Sequence, residues 1–194
     1  MITAAHDYDV AVAALRTQKL PAYVEYVQSS DAHGLAGYHG TPQRIVVDVR
    51  AKKIVSESPS GDGRDRGNDS PALKHLIDPN CYRPTGERSA RWNGHDAIAI
   101  SVRATASSCD DLDVHTVFAD ASTGELLGAD GSEDDDGMTV DFSVQYARFG
   151  SFVMPTSLSA HAHGHGWLFW ARERAEVRYS DYRFTDTRRQ ATSP

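Results

Sequence analysis

The chain has 194 residues, of which 40% are hydrophobic and 24% are charged, and its formal net charge is −7 at pH 7. This length and composition predict one globular domain that is large enough to bury a substantial core. The negative charge argues against a nucleic-acid-binding surface, because affinity for phosphates comes mostly from Lys and Arg. No apolar run approaches the roughly 18 residues that a membrane-spanning helix needs.

The N-terminus shows no signal peptide, because Met1–Ala5 leads straight into a polar, helix-like segment. Two interpretations stay open: a cytoplasmic chain, or a mature exported domain whose signal has been replaced by an initiator Met. A helix is predicted over Tyr8–Gln18, where the apolar side chains form a stripe and Pro21 ends the pattern.

The first half of the chain then predicts three strands, a loop and a second helix. The strands follow from apolar alternation and β-propensity and cover Tyr23–Val27, Gln43–Val49 and Lys52–Glu57. Ser58–Ser70 holds no apolar side chain and is predicted to be a flexible polar loop within the domain. Pro71–Ile77 predicts a short helix lying across the sheet, with Ser70 as its N-cap and proline in its first turn.

Beyond Cys81 the sequence is strand-like almost throughout. Asn93-Gly94 between two strand-like segments is a strong hairpin signal. The acidic segment 131–137 is interpreted as a solvated turn, because it lacks the ligand spacing of a calcium loop. The predicted strands are Glu87–Trp92, Ala97–Arg103, Leu112–Ala119, Glu125–Ala129, Met138–Arg148, Phe152–Ala162, Trp167–Tyr179 and Tyr182–Phe184. One domain over 1–185 and a disordered polar tail over 186–194 complete the prediction.

The predicted fold class is mainly β (α+β): an open, incomplete antiparallel β-barrel of about ten strands with one or two short covering helices. Met138–Tyr146 alternates strictly and places five large apolar side chains on one face. Such a face either packs as core or lines a cavity for a hydrophobic ligand, and alternation alone does not separate the two. The predicted cavity-lining residues are Ile98, Ile100, Phe118, Val140, Phe142, Val144, Tyr146 and Trp167.

His161, His163 and His165 lie two residues apart, so on a strand their imidazoles share one face. Imidazole is a good ligand for zinc, copper and nickel. Same-face neighbours on a regular strand are roughly 7 Å apart, too far for all three to reach one ion. A turn at Gly164–Gly166 could bring two of them together. The alternative is a polar surface hairpin without a metal.

Cys81 and Cys109 are the chain's two cysteines, and a disulfide between them is expected if the protein is exported. Two unpaired thiols are the alternative. The sequence holds no GxSxG, no HExxH and no phosphate-binding glycine loop. We therefore predict neither an enzyme nor a cofactor.

Four short motifs between residues 92 and 184 occur in a distinctive order. They are the glycine turn Asn93–Ile98, the turn Asp120–Leu127, a strand pair holding Tyr146, Gly150 and Pro155, and a final Tyr179, Tyr182 and Phe184. This order resembles the superfamily of periplasmic lipoprotein carriers and lipoprotein-binding sensor proteins. The resemblance implies an incomplete barrel with helices as a lid, an exported location, a cavity for acyl chains and no catalytic residues. The histidines, the cysteine pair and the 58–70 loop depart from that pattern.

The leading functional prediction is a non-catalytic periplasmic or otherwise extracytoplasmic binding protein that holds a hydrophobic ligand or a lipidated partner. One alternative is an interaction or sensor module on the same scaffold, with an envelope protein as partner. The other alternative is a metal-dependent enzyme centred on the histidines of 161–165.

Overall fold

The computed structural model describes residues 4–33, 38–58, 71–106, 113–135, 138–165 and 170–187. Within these ranges there are two helices, α1 (Ala4–Thr17) and α2 (Pro71–Lys74). The strands are β1 (Tyr23–His33), β2 (Tyr38–His39), β3 (Gln43–Asp48), β4 (Lys53–Ser58), β5 (Tyr82–Trp92), β6 (His95–Ala104), β7 (Val114–Asp120), β8 (Leu126–Asp135), β9 (Met138–Phe149), β10 (Phe152–His165) and β11 (Trp170–Thr185). Neither described helix is long and apolar enough to cross a membrane.

The strands form one antiparallel sheet in the order β4-β3-β1-β11-β10-β9-β8-β7-β6-β5, with β2 added beside β1. Over the described ranges, β4 and β5 are the two ends of this order and do not pair with each other, so the sheet stays open. The pairing of β1 with β11 joins the two ends of the chain. The predicted fold class, an open antiparallel barrel-like sheet with two short helices, is confirmed.

Two features with positive φ, a hairpin turn and a β-bulge, shape the sheet at places where the sequence predicts one strand to end and another to begin. Asn93 and Gly94 both have positive φ, 48° and 89°, and connect Trp92 to its partner His95 in the predicted two-residue hairpin. Asp181, with φ 53°, is an extra residue in β11 opposite the step from Glu25 to Val27. This bulge joins the two predicted C-terminal strands into one.

The prediction of a solvated acidic turn over 131–137 was wrong for residues 131–135, which belong to β8. Gly131 pairs with Phe142 on one side and Val114 on the other. A Cβ at Gly131 would lie 2.0 Å from the carbonyl oxygen of Asp113, so glycine permits this close strand approach. The second helix also ends three residues earlier than predicted, at Lys74.

Two clusters of buried side chains form the core. The first contains α1 residues and the apolar face of β6–β9, and the second gathers side chains of β1, β3, β11 and α2. The adjacent residues Val153 and Met154 belong to the first and second cluster respectively. Because successive strand residues point to opposite faces, the start of β10 is covered on both faces and separates the clusters.

Several predictions fall outside the described residues and stay predictions. They concern the loop over 59–70, the tail over 188–194, Cys109 and Trp167. The assignment of 1–185 to one domain also stays a prediction.

Candidate ligand cleft

The face of β6–β9 that packs on α1 is called here the helix-covered face. Ile100 pairs with Val117, and both are fully buried in the cluster that includes Tyr8 and Val12 of α1. Because strand side chains alternate, the opposite face, called here the outer face, carries the intervening residues.

The structure brings most of the predicted cavity residues together on the helix-covered face. Five of them pack in or against the α1 cluster: Ile98, Ile100, Phe142, Val144 and Tyr146. Val140 lies on the same face by alternation and is half-buried opposite Ala162. Phe118 lies on the outer face instead, opposite Ala99, and stacks on Trp92 with ring centroids 4.0 Å apart.

The helix-covered face is occupied by α1 in this conformation. Val144 and Ile100 are 0% exposed, and Phe142 and Tyr146 are 6% exposed. The α1 side chains facing them are Tyr8, Ala11 and Val12, and two of these are small. The face is therefore a filled core along its centre, and space for a ligand lies at its margin.

One such space is a cleft of about 300 Å³ between α1 and the strands β8–β10, called here the α1 cleft. Its volume lies at the lower end of the range for small-molecule sites. Arg148 and Glu125 form an ion pair at its charged side, with Nε and Oε1 3.0 Å apart. The apolar lining residues are Val10, Ala11, Ala13, Ala14, Leu126, Leu127, Tyr146, Ala147 and Val153.

The turn between β7 and β8 sets the position of α1 over this cleft. The Asp120 carboxylate accepts hydrogen bonds from the backbone N–H groups of Ser122 and Thr123 at 2.9 and 2.8 Å, and from both hydroxyls. These hydrogen bonds hold the pKa of Asp120 well below its usual value. Gly124 follows with φ 72°, and a Cβ there would lie 2.7 Å from Cγ1 of Val10. The turn thus packs directly beneath the middle of α1.

A second cleft of about 410 Å³ lies at the other end of α1. It is bounded by the last turn of α1, by Val49 and by the segment 76–80. Gln18 links this end of α1 to the sheet, since its Oε1 accepts a hydrogen bond from the Val153 N–H at 2.8 Å. At the opposite end, the Tyr8 hydroxyl donates to the Pro79 carbonyl at 3.2 Å. These two hydrogen bonds help to tether α1 to neighbouring segments.

The segment after α2 is anchored by a buried histidine. The Tyr146 hydroxyl donates to the His75 carbonyl at 2.6 Å, and the Tyr179 hydroxyl lies 2.9 Å from Nδ1 of His75. Burial, with a smaller contribution from Lys74, lowers the pKa of His75 to about 4. Burial also raises the pKa of Tyr179, so its hydroxyl stays protonated and forms a hydrogen bond with the neutral imidazole.

The predicted metal-binding histidines lie away from this cleft. His161 and His163 lie in β10 opposite Asp141 and Thr139 of β9, which places them on the outer face. His165 is the last residue of β10, and its side chain is outside the description. Cys81 is buried on the helix-covered side and is disulfide-bonded. The chain's other cysteine, Cys109, is outside the described residues.

Sequence reasoning missed the α1 side of the cleft. Val10 and Ala13 were placed in a helix, but nothing in their spacing indicates which part of the sheet they would face. Val10 is 43% exposed, but this exposure is visible only in the folded structure, so the sequence carries no signal for it. The Asp120–Gly124 turn was identified as a motif, but its contact with α1 depends on the folded sheet.

Comparison with solved structures gives the fold. The chain is similar to a domain from Vibrio parahaemolyticus assigned to outer membrane lipoprotein sorting, with a TM-score of 0.52 and 11% identity over 94% of each chain. A DUF1329 family protein from Desulfovibrio piger gives a TM-score of 0.48 and 11% identity over 95% of this chain and 94% of that chain. No family model and no curated protein matches the sequence. The chain thus shares the fold of the Vibrio domain, which is the kind of fold that the sequence resemblance implies.

Proposed function

We propose that this chain is a non-catalytic, extracytoplasmic binding protein that holds a hydrophobic ligand or a lipidated partner in the α1 cleft. The observation that carries the proposal is the cleft itself, an apolar space with a charged pair, Glu125 and Arg148, on one side. An acyl chain would lie against Leu126, Tyr146 and Val153, while the ion pair would meet a polar head. Ligand pockets of this kind combine an apolar lining with few polar groups.

Opening of the cleft follows from the way α1 is attached. The helix buries Tyr8, Ala11 and Val12, so lifting it exposes the apolar area of one large and two smaller side chains. Its tethers at Tyr8 and Gln18 are ordinary hydrogen bonds, each contributing about 1 kcal/mol. An apolar ligand that replaces α1 against Val144 and Tyr146 would offset this cost. The proposal therefore makes α1 a displaceable lid.

Two observations support the proposed compartment, and a third supports a role without catalysis. The disulfide at Cys81 suits an oxidising compartment outside the cytosol. The outer membrane lipoprotein-sorting assignment of the Vibrio domain, whose fold this chain shares, points the same way. The imidazoles of His161 and His163 lie on the outer face, so they do not meet a ligand held beneath α1.

The test is displacement of a fluorescent fatty acid from the purified chain by unlabelled palmitate. Ala13 is an exposed residue of α1 that lines the cleft, so Ala13→Trp is expected to fill it and weaken probe binding at least about tenfold. Thr17→Trp is the matched control, because Thr17 is exposed on the same helix and does not line the cleft.

Saturable binding that palmitate displaces, lost in Ala13→Trp and kept in Thr17→Trp, supports the proposal. A wild-type chain that neither binds the probe nor retains lipid in native mass spectrometry would overturn it and favour the interaction-module alternative. Equal binding by both variants would show that the ligand lies elsewhere.

A further inference from the structure

Strand β10 places two histidines beside an aspartate on the outer face. The register pairs His161 with Asp141, and His163 with Thr139, two residues along β9. Asp141, His161 and His163 therefore lie on the same face of two neighbouring strands. This face is opposite the one that packs on α1, so the group is separate from the α1 cleft.

The three side chains are close enough to share one ion. One ligand atom from each lies within 4.8 Å of the other two. Nδ1 of His163 is 3.5 Å from Oδ2 of Asp141, and the two imidazole centroids are 5.9 Å apart. In a tetrahedral zinc site with bonds of about 2.1 Å, ligand atoms are separated by roughly 3.4 Å. The Asp141–His163 separation already matches this value, and a side-chain rotation of the exposed His161 would complete the set.

A second observation points to a ligand at this place. Nδ1 of His163 is shielded from solvent and, among the described residues, has no hydrogen-bonding partner. A buried polar atom without a partner is costly, and such atoms often mark a missing ion or water. The contact with Asp141, at 3.5 Å, is too long to satisfy it. A bound cation would satisfy this nitrogen and the carboxylate together.

The residues on the neighbouring strands influence the affinity that this group should have for a cation. Arg174 of β11 lies opposite His161, and its positive charge opposes a cation. On the other side, Ser132 of β8 lies opposite Asp141. One carboxylate and two imidazoles are the donor types that zinc accepts, whereas Ca²⁺ and Mg²⁺ require mostly oxygen ligands.

We propose that Asp141, His161 and His163 bind one Zn²⁺ ion on the outer face, with one coordination position left to water. Three protein ligands with an open fourth position are the usual arrangement of an accessible zinc site. The ion links β9 to β10 through their side chains. The site differs from the histidine triplet expected from the sequence, because Asp141 takes the place of His165.

The experiment is calorimetric titration of ZnCl₂ into the untagged, EDTA-treated full chain at pH 7.5. The expected result is one zinc per chain, with affinity reduced at least about tenfold in each of Asp141→Asn, His161→Gln and His163→Gln. His115→Gln is the matched control, because His115 also lies 3.5 Å from an aspartate, Asp113, but forms no part of a three-ligand group in the described residues. The zinc affinity of His115→Gln should equal that of the wild type.

His165→Gln separates the two possible ligand sets. Unchanged affinity in His165→Gln with loss in Asp141→Asn supports the proposed site. Loss in His165→Gln with wild-type affinity in Asp141→Asn overturns it, as does a wild-type chain that binds no zinc. Because a variant could misfold, ¹H–¹³C NMR of the wild type gives an independent readout: zinc should shift the imidazole signals of His161 and His163 and leave those of His115 in place.

Discussion

The two faces of β9 and β10 carry opposite kinds of surface within the same few residues. On the helix-covered face, Phe142 and Val144 are buried against the cluster that contains α1. On the outer face, the exposed side chains of Asp141 and His161 lie close to the half-buried His163. Because successive strand residues point to opposite faces, the alternation of the sequence alone puts the apolar and the ligating side chains on different faces.

Ligand binding at the two proposed sites therefore has different energetic costs. A ligand on the helix-covered face competes with α1 for apolar surface that is already buried, so its affinity is reduced by the cost of moving the helix. A cation on the outer face meets ligand atoms that already lie within 4.8 Å of one another and requires only a side-chain rotation of His161. Ligand affinity at the first site therefore depends on the free energy of displacing α1, whereas cation affinity at the second site does not.

The largest expected effect on the free energy of unfolding tests whether the helix-covered face is part of the packed core. Ile100→Ala should lower the free energy of unfolding by about 2–5 kcal/mol, because Ile100 is fully buried against its neighbours. Ser101→Ala, one residue along β6 and exposed on the outer face, should change it by less than about 0.5 kcal/mol. Urea denaturation measures both. A loss near zero in Ile100→Ala would mean that this face lines an open cavity.

The second-largest expected effect comes from His75, whose pKa is lowered by burial to about 4, below the ordinary histidine value of 6.5. Because the unfolded chain binds this proton more tightly, the contribution of neutral His75 is fully present above pH 6.5 and is lost as the pH falls towards 4. The loss should approach about 3 kcal/mol. Urea midpoints measured across this range should fall less steeply in His75→Gln, and equal slopes in both proteins would contradict the buried, neutral imidazole.

Much of the sheet could be predicted from the sequence, because alternation and turn residues are local signals. The Asn93-Gly94 hairpin and the apolar face of β9 follow from residues within reach of each other along the chain. The spacing of Tyr179, Tyr182 and Phe184 breaks period two, and only the bulge at Asp181 explains how all three contribute to one core cluster. A bulge depends on the partner strand, here β1, which lies more than 150 residues away.

The sites were harder to predict than the fold for the same reason. Whether Val144 meets a ligand or a helix depends on where α1 docks, and α1 is distant in sequence from β9. The proximity of Asp141 to His161 depends on the register of β9 against β10. Phe118 was placed with Ile98 and Ile100, but the pairing of β6 with β7 sets it on the outer face.

The smallest predicted effect tests whether the Asp120–Gly124 turn holds α1 over its cleft. Gly124 and Gly150 both have positive φ, 72° and 63°, so alanine at either position should cost about 1 kcal/mol of backbone strain. A Cβ at Gly150 meets nothing within 4 Å, whereas one at Gly124 lies 2.7 Å from Cγ1 of Val10. Gly124→Ala should therefore be less stable than Gly150→Ala by up to about 1 kcal/mol in urea denaturation.

The additional loss of stability in Gly124→Ala should come from the contact with Val10 alone, so a substitution at Val10 should abolish it. In the Val10→Ala background the steric conflict disappears, and the two glycine substitutions should then cost the same. Gly124→Ala should also bind the fluorescent fatty acid more tightly than Gly150→Ala, since α1 is pushed away from the sheet by the new methyl group. If the stabilities differ as expected while the fatty acid affinities stay equal, α1 is a structural cover and not the lid of the cleft.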